Sequence, residues 1–245
     1  MWDDILCVIA CIFSVALLTC NVVMVFNAGG GNPISDMKSP ADFLLWSKLL
    51  LATFFIYVFA VAFVQLAILF LYHRLFFIVD WFRITCYVLM GLVVAGFVVS
   101  PIAQVTICAP IQKLWNPSKY GKCNNSHELC NVVGIYHVVL DFAILLIPQP
   151  LIWKLKTTTI NKISVSLLML CGTLASISAV LCLSCYMNLS KFSGPRNLPA
   201  QMWLALTYHC IEAPLGIICC SATVSAPAIR SIRSSATGSR ISQGS

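Results

Sequence analysis

Tyr136 to Pro150 reads YHVVLDFAILLIPQP, an almost wholly apolar run with His137 and Asp141 near its middle and Pro148-Gln149-Pro150 at its end. As part of a longer apolar segment, Leu129 to Ile152, it has the length of a bilayer-crossing helix. An Asp at the centre of such a helix costs roughly 2.5–3.5 kcal/mol on insertion scales, so Asp141 is expected to face a bundle interior and to have a partner there. Composition decides for the membrane. Of 245 residues 60% are hydrophobic and 9% are charged, with a mean hydropathy of +0.91, whereas a soluble domain carries about 25% charged residues.

Outward from that stretch, six apolar segments can be marked, each roughly 20 to 27 residues and sufficient at 1.5 Å per residue to cross the hydrocarbon. They run from Ile5 to Phe26, Leu45 to Leu71, Phe82 to Cys108, Leu129 to Ile152, Ile163 to Met187 and Met202 to Ser221. Breakers lie between them: Gly29-Gly30-Gly31-Asn32-Pro33, Asn116-Pro117 and Gly194-Pro195. The expected organisation is one polytopic membrane domain over 1–227 and a basic, Ser-rich cytosolic tail over 228–245, able to touch anionic lipid. The net charge of +7 comes from Lys and Arg at the ends of apolar runs. This is the pattern of membrane boundary charges, and it excludes nucleic acid as a partner. Met1-Trp2-Asp3-Asp4 lacks the positive start of a signal peptide, so the first run reads as a retained span.

Six spans put both termini on one side. The basic residues divide nearly evenly, but those of the second and fourth connections sit tight against span ends, which favours cytosolic termini. Two acceptor sequons, at Asn124 and Asn188, then fall in outer loops, with Asn124 the better glycosylation candidate. In the third connection Cys108 and Cys123 are disulfide candidates in an oxidising compartment, and Cys130 is a third whose pairing remains open. Other cysteines, such as Cys171 and Cys182, sit inside apolar runs as small hydrophobes. Trp2, Trp46, Trp81, Trp153 and Trp203 lie near span ends, as an interfacial belt would.

His137 and Asp141 are four apart, and His209 and Glu212 three apart, so each pair shares one helix face. Both pairs begin about eight residues into spans that run the same way, which sets them at similar depth. Asp141 is therefore expected to find its partner on the last helix. The four residues read first as a buried polar network that fixes helix packing. A second reading is the floor of a ligand pocket. A third is a Zn²⁺ set of two His and two carboxyls able to activate water for intramembrane hydrolysis, although the spacing lacks a HExxH pattern. Gln65 and Gln104 read as interhelical hydrogen-bonding residues.

Several pieces in fixed order resemble the fungal rhodopsin-domain family, integral membrane proteins grouped with Pth-type G-protein-coupled receptors. They are Trp2-Asp3-Asp4, Leu71-Tyr72-His73-Arg74-Leu75-Phe76, Cys108-Ala109-Pro110 with Trp115 and Cys123, Asp141 with Pro148-Gln149-Pro150, and Glu212 with Gly216-Ile217-Ile218. The resemblance implies an all-α bundle whose six transmembrane helices correspond to spans two to seven of a seven-helix receptor. It also implies sensing of an extracellular ligand, a cytosolic signalling partner, a plasma-membrane location and no enzymatic activity. The chain departs from the family pattern in three places. Gly29-Gly30-Gly31 stands where a Gly-x-Gly-x-His is usual, Gln65 where a Lys is usual, and Ser184-Cys185-Tyr186 where an Arg is expected. Despite the family's name no cofactor is expected, and no retinal, because a Schiff base needs a Lys amine and the third to sixth segments contain none.

Overall fold

The computed structural model describes residues 2–28, 40–75, 79–115, 119–123, 126–150, 159–192, 202–212, 214–215 and 217–218. The helices are α1 (Trp2–Ala28), α2 (Pro40–Leu75), α3 (Asp80–Thr106), α4 (Ser126–Leu146) and α5 (Thr159–Phe192). A sixth, α6, covers 202–212, with helical turns again at 214–215 and 217–218. Each of the six helices lies on one of the six apolar segments. Within the described residues, α1, α2 and α3 carry windows long and apolar enough to cross a membrane, while α4 and α5 carry the shorter apolar stretches Asn131–Leu146 and Met169–Cys185.

The fourth segment is interrupted: α4 runs to Leu146, the chain turns at Ile147-Pro148 and is helical again at residues 149–150. Pro148 lacks an amide hydrogen and its ring crowds the carbonyl of Ile144, so the helix ends there. The 21 residues of α4 still span roughly 30 Å, because the helix starts three residues early, at Ser126. Asn188 differs from expectation: it lies inside α5, not in a loop. The tail 228–245 and Asn124 lie outside the described residues.

α2 is the hub. Half of its apolar window is buried, against 22% of that of α1 and 28% of that of α3. Phe13 of α1 stacks on Phe59 and Phe63 of α2, Leu17 packs with Tyr57 and Val61, and Met24 packs with Trp46. The numbers fall along α2 as they rise along α1, so the two are antiparallel. By the same reasoning α3 is antiparallel to α2, with Phe82 against Tyr72 at one end and Phe97 against Phe59 at the other. α4 is antiparallel to α5, with Leu145 at Gly172 and Leu183 at Gly134. Trp46 is 2% exposed in a cluster with Met24 and Leu206. It is thus a wedge joining α1, α2 and α6 and not part of an interfacial belt; Trp81, half exposed at the start of α3, fits the belt.

The outer faces are apolar: Ile5, Val8, Ile12 and Val15 on α1, and Ile84, Val88, Val98 and Ile102 on α3, are all exposed. In water such stripes would be a liability, whereas in a bilayer they are the solvent face. Hydroxyls within these helices donate to the carbonyl one turn back, Ser14 to Ala10, Thr19 to Val15 and Thr85 to Trp81, so they leave no unsatisfied donor toward lipid.

Between α3 and α4 the strands β1 (Cys108–Ala109) and β2 (Lys122–Cys123) pair antiparallel, with Cys108 opposite Cys123. A disulfide joins these two cysteines, and Cys130 takes no part in it. Lys113, on the short 3-10 turn Ile111–Leu114, donates to the carbonyl of Gly121. A Cβ at Gly121 would sit 2.5 Å from the carbonyl oxygen of Ala109. Backbone atoms cannot yield as a flexible side chain would. Gly121→Val should therefore part the two strands, and thiol labelling on a non-reducing gel should find a fraction of Cys108 and Cys123 unpaired where the parent shows none.

Candidate functional site

Tyr57, eight residues before Gln65, points from the centre of α2 into the bundle. Positions eight apart in a helix share one stripe, so the hub presents two polar groups inward at successive levels. At the first level the Tyr57 hydroxyl donates to both carboxyl oxygens of Glu212, at 3.1 and 3.0 Å. Its ring stacks on His209 with 3.8 Å between centroids and meets His137 edge-on at 6.3 Å. The Nε2 of His209 lies 3.0 Å from the Sγ of Cys182, which also reaches the carbonyl oxygen of Ala205. At the second level the Nε2 of Gln65 donates to Oδ1 of Asp141 at 2.8 Å.

Three of the four residues singled out from the sequence, His137, His209 and Glu212, thus gather around Tyr57, and all are buried. Asp141 is half-buried, and its hydrogen bond goes to α2 and not to α6. Gln65 is an interhelical hydrogen-bonding residue, as its type suggested. Among the described residues, no three of the His, Cys, Asp and Glu side chains converge as a set that could hold a metal ion.

Sequence reasoning missed Tyr57 and Cys182. Neither belongs to a motif. The available signal was the eight-residue interval between Tyr57 and Gln65 in an otherwise apolar helix, whereas Cys182 looks like any other small hydrophobe.

Beside the first level lies a cavity of about 60 Å³, walled by Phe54, Val133, Val138, Ala179 and Leu183 and bordered by Tyr57, His137 and His209. His137 is 7% exposed. Neither of its ring nitrogens has a hydrogen-bond partner among the described residues, nor does Oδ2 of Asp141. The arrangement is suited to binding a molecule by one or two hydrogen bonds in apolar surroundings.

The family model of the fungal rhodopsin domain matches residues 1–232. Among curated proteins, the chain is 32% identical over 142 residues to fugralins biosynthesis cluster protein 2 of Gibberella zeae, which covers 55% of this chain and 35% of that one. It is 27% identical over 176 residues to satratoxin biosynthesis SC1 cluster protein 4 of Stachybotrys chartarum, covering 69% and 60%. It is 25% identical over 222 residues to wortmanamides biosynthesis cluster protein C of Talaromyces wortmannii, covering 90% and 59%. The matches thus span between about a third and three-fifths of these relatives' own lengths. No solved structure matches. With the family model matched along nearly its whole length and three long apolar helices in the bundle, the chain is an integral membrane protein of the fungal rhodopsin domain family.

Proposed function

We propose that this protein is a plasma-membrane sensor without enzymatic activity. It binds a small, largely apolar extracellular molecule in the bundle and passes a conformational change to a cytosolic partner. The observation that carries the reading is the cavity bordered by Tyr57, His137 and His209 on the helix that touches most of the others. From Tyr57, α2 runs 17 residues, roughly 25 Å, to Arg74 at the opposite end of the bundle from the disulfide hairpin. A ligand that repacks Tyr57 therefore acts on a rigid lever whose far end faces the cytosol. The relatives' names, all of biosynthesis clusters, support a secreted small metabolite as the ligand. The hairpin's disulfide supports its placement outside, with both ends of the chain in the cytosol.

Sensing requires two conformations that bind the ligand differently. The test is hydrogen exchange of the full chain in nanodiscs, with and without a lipophilic extract of spent fungal culture medium. Protection around residues 54–65 and 133–141, together with altered exchange at the inner ends of α2 and α4, is the expected result. Protection at the cavity with unchanged inner ends would sink the receptor reading. Orientation has its own check: Asn124→Gln should remove an endoglycosidase-sensitive shift from protein expressed in a fungal host, and the parent should lack that shift if the hairpin is cytosolic.

A further inference from the structure

We infer that the cavity between α2, α4, α5 and α6 is a binding site for a neutral, apolar molecule that inserts a hydroxyl group end-on against His137. The inference rests on the reading of this protein as a small-molecule binder and specifies the chemistry of what it binds. His137 is buried on the cavity wall with neither ring nitrogen partnered among the described residues. Its neighbours are committed elsewhere: the Tyr57 hydroxyl to both oxygens of Glu212, and Nε2 of His209 to Cys182. Tyr57 and Tyr136 meet the His137 ring edge-on, with centroids 6.3 and 6.0 Å away. A buried polar group left without a partner costs free energy, so a molecule that supplies one gains affinity there.

A neutral imidazole offers one bare nitrogen and one N–H. A hydroxyl matches either, donating to the first or accepting from the second. A charged group does not fit, because the wall holds no charged side chain, its polar members His209 and Cys182 face each other, and the rest is aliphatic and aromatic and would desolvate a charge without pairing it. Size sets the mode of entry. A water needs roughly 10–15 Å³ on a comparable measure, so about 60 Å³ admits only the hydroxyl-bearing end of a metabolite or lipid. The remainder would rest against Phe54, Val133 and Leu183, which keep partial exposure. Gly134 leaves the space open between α4 and α5, since a Cβ there would already stand 2.9 Å from a Leu183 methyl.

The full chain in phosphatidylcholine nanodiscs, with ¹⁵N-labelled histidine, tests this with phenol against toluene. Phenol should shift one imidazole resonance, the one missing in His137→Phe, and toluene should leave it in place. Phenol affinity should fall at least about tenfold in His137→Phe, which keeps the ring and removes the nitrogens. If that variant does not fold, Gly134→Val, which narrows the cavity and leaves His137 intact, should show the same loss. Equal shifts with phenol and toluene, no shift with either because water alone fills the cavity, or undiminished phenol affinity in the folded variants would each overturn the inference. Adding a sterol to the nanodiscs separates two sources of the hydroxyl: competition with phenol identifies a membrane lipid, and no competition identifies a free molecule, both within the inferred chemistry. Phenol bound at His137 with no change at the inner helix ends would reject the receptor reading and leave the site standing.

Discussion

Gly96→Val is expected to destabilise the protein by about 2–3 kcal/mol, a typical cost of overpacking a filled interior. A Cβ at Gly96 would stand 2.4 Å from Cε1 of Tyr136 and 3.2 Å from its Cζ and hydroxyl. The Tyr136 ring has little freedom to withdraw, because its hydroxyl donates to the carbonyl of Leu92 one turn away on the same helix, α3. The added side chain must therefore push α3 and α4 apart or break that hydrogen bond. Gly91 supplies the control. It lies on the same helix, five residues earlier, with nothing within 4 Å of the place a Cβ would take, so Gly91→Ala should stabilise by up to about 1 kcal/mol through helix propensity alone. Unfolding in mixed detergent micelles would compare the two. Tyr136→Leu combined with Gly96→Val should recover most of the loss. If the double variant is as unstable as Gly96→Val alone, the close approach of ring and glycine is not what limits substitution at Gly96.

How far such contacts can be read beforehand is visible in the same residues. The helices were legible because 20-residue apolar runs have few alternatives, and all six helices lie on their expected segments. Their ends were less so. α2 begins at Pro40, five residues before the apolar run, since Pro at a helix start gives up no hydrogen bond and Asp42 suits the first turn. α4 is broken by a turn at Ile147-Pro148 within the apolar run, where backbone chemistry at Pro148 overrides hydropathy. Pro101 does not end α3, so a proline alone was no reliable stop. In the site, ionisable residues stand out in an apolar sequence, and His137, His209 and Glu212 were found for that reason. Their arrangement was not legible, because it depends on which helix occupies the centre. Periodicity assigns a face to each helix but no neighbour, and the neighbour is what gave Asp141 to Gln65 and Glu212 to Tyr57.

Tyr57 is where that arrangement is most exposed to test, and Tyr57→Ala should cost about 4 kcal/mol, in the range for removing a buried aromatic side chain. Two effects contribute. The ring fills space against Leu17, Val58 and Val61 and stacks on His209, and the hydroxyl is the donor to both oxygens of Glu212. Tyr57→Phe separates them by keeping the ring, and should cost only the penalty of leaving a buried carboxyl group without that donor, about 1–3 kcal/mol. Glu212→Leu should cost a similar amount by orphaning the hydroxyl. The double variant Tyr57→Phe with Glu212→Leu leaves neither group unpaired, so its stability should return to within about 1 kcal/mol of the parent. That non-additivity is the signature of a paired buried contact. Strictly additive losses would mean that Tyr57 and Glu212 act independently, and the hub's inner layer would then be held by ring packing alone. In that case no hydrogen bond would couple Tyr57 on α2 to α6, and the cavity would be a binding site without a lever.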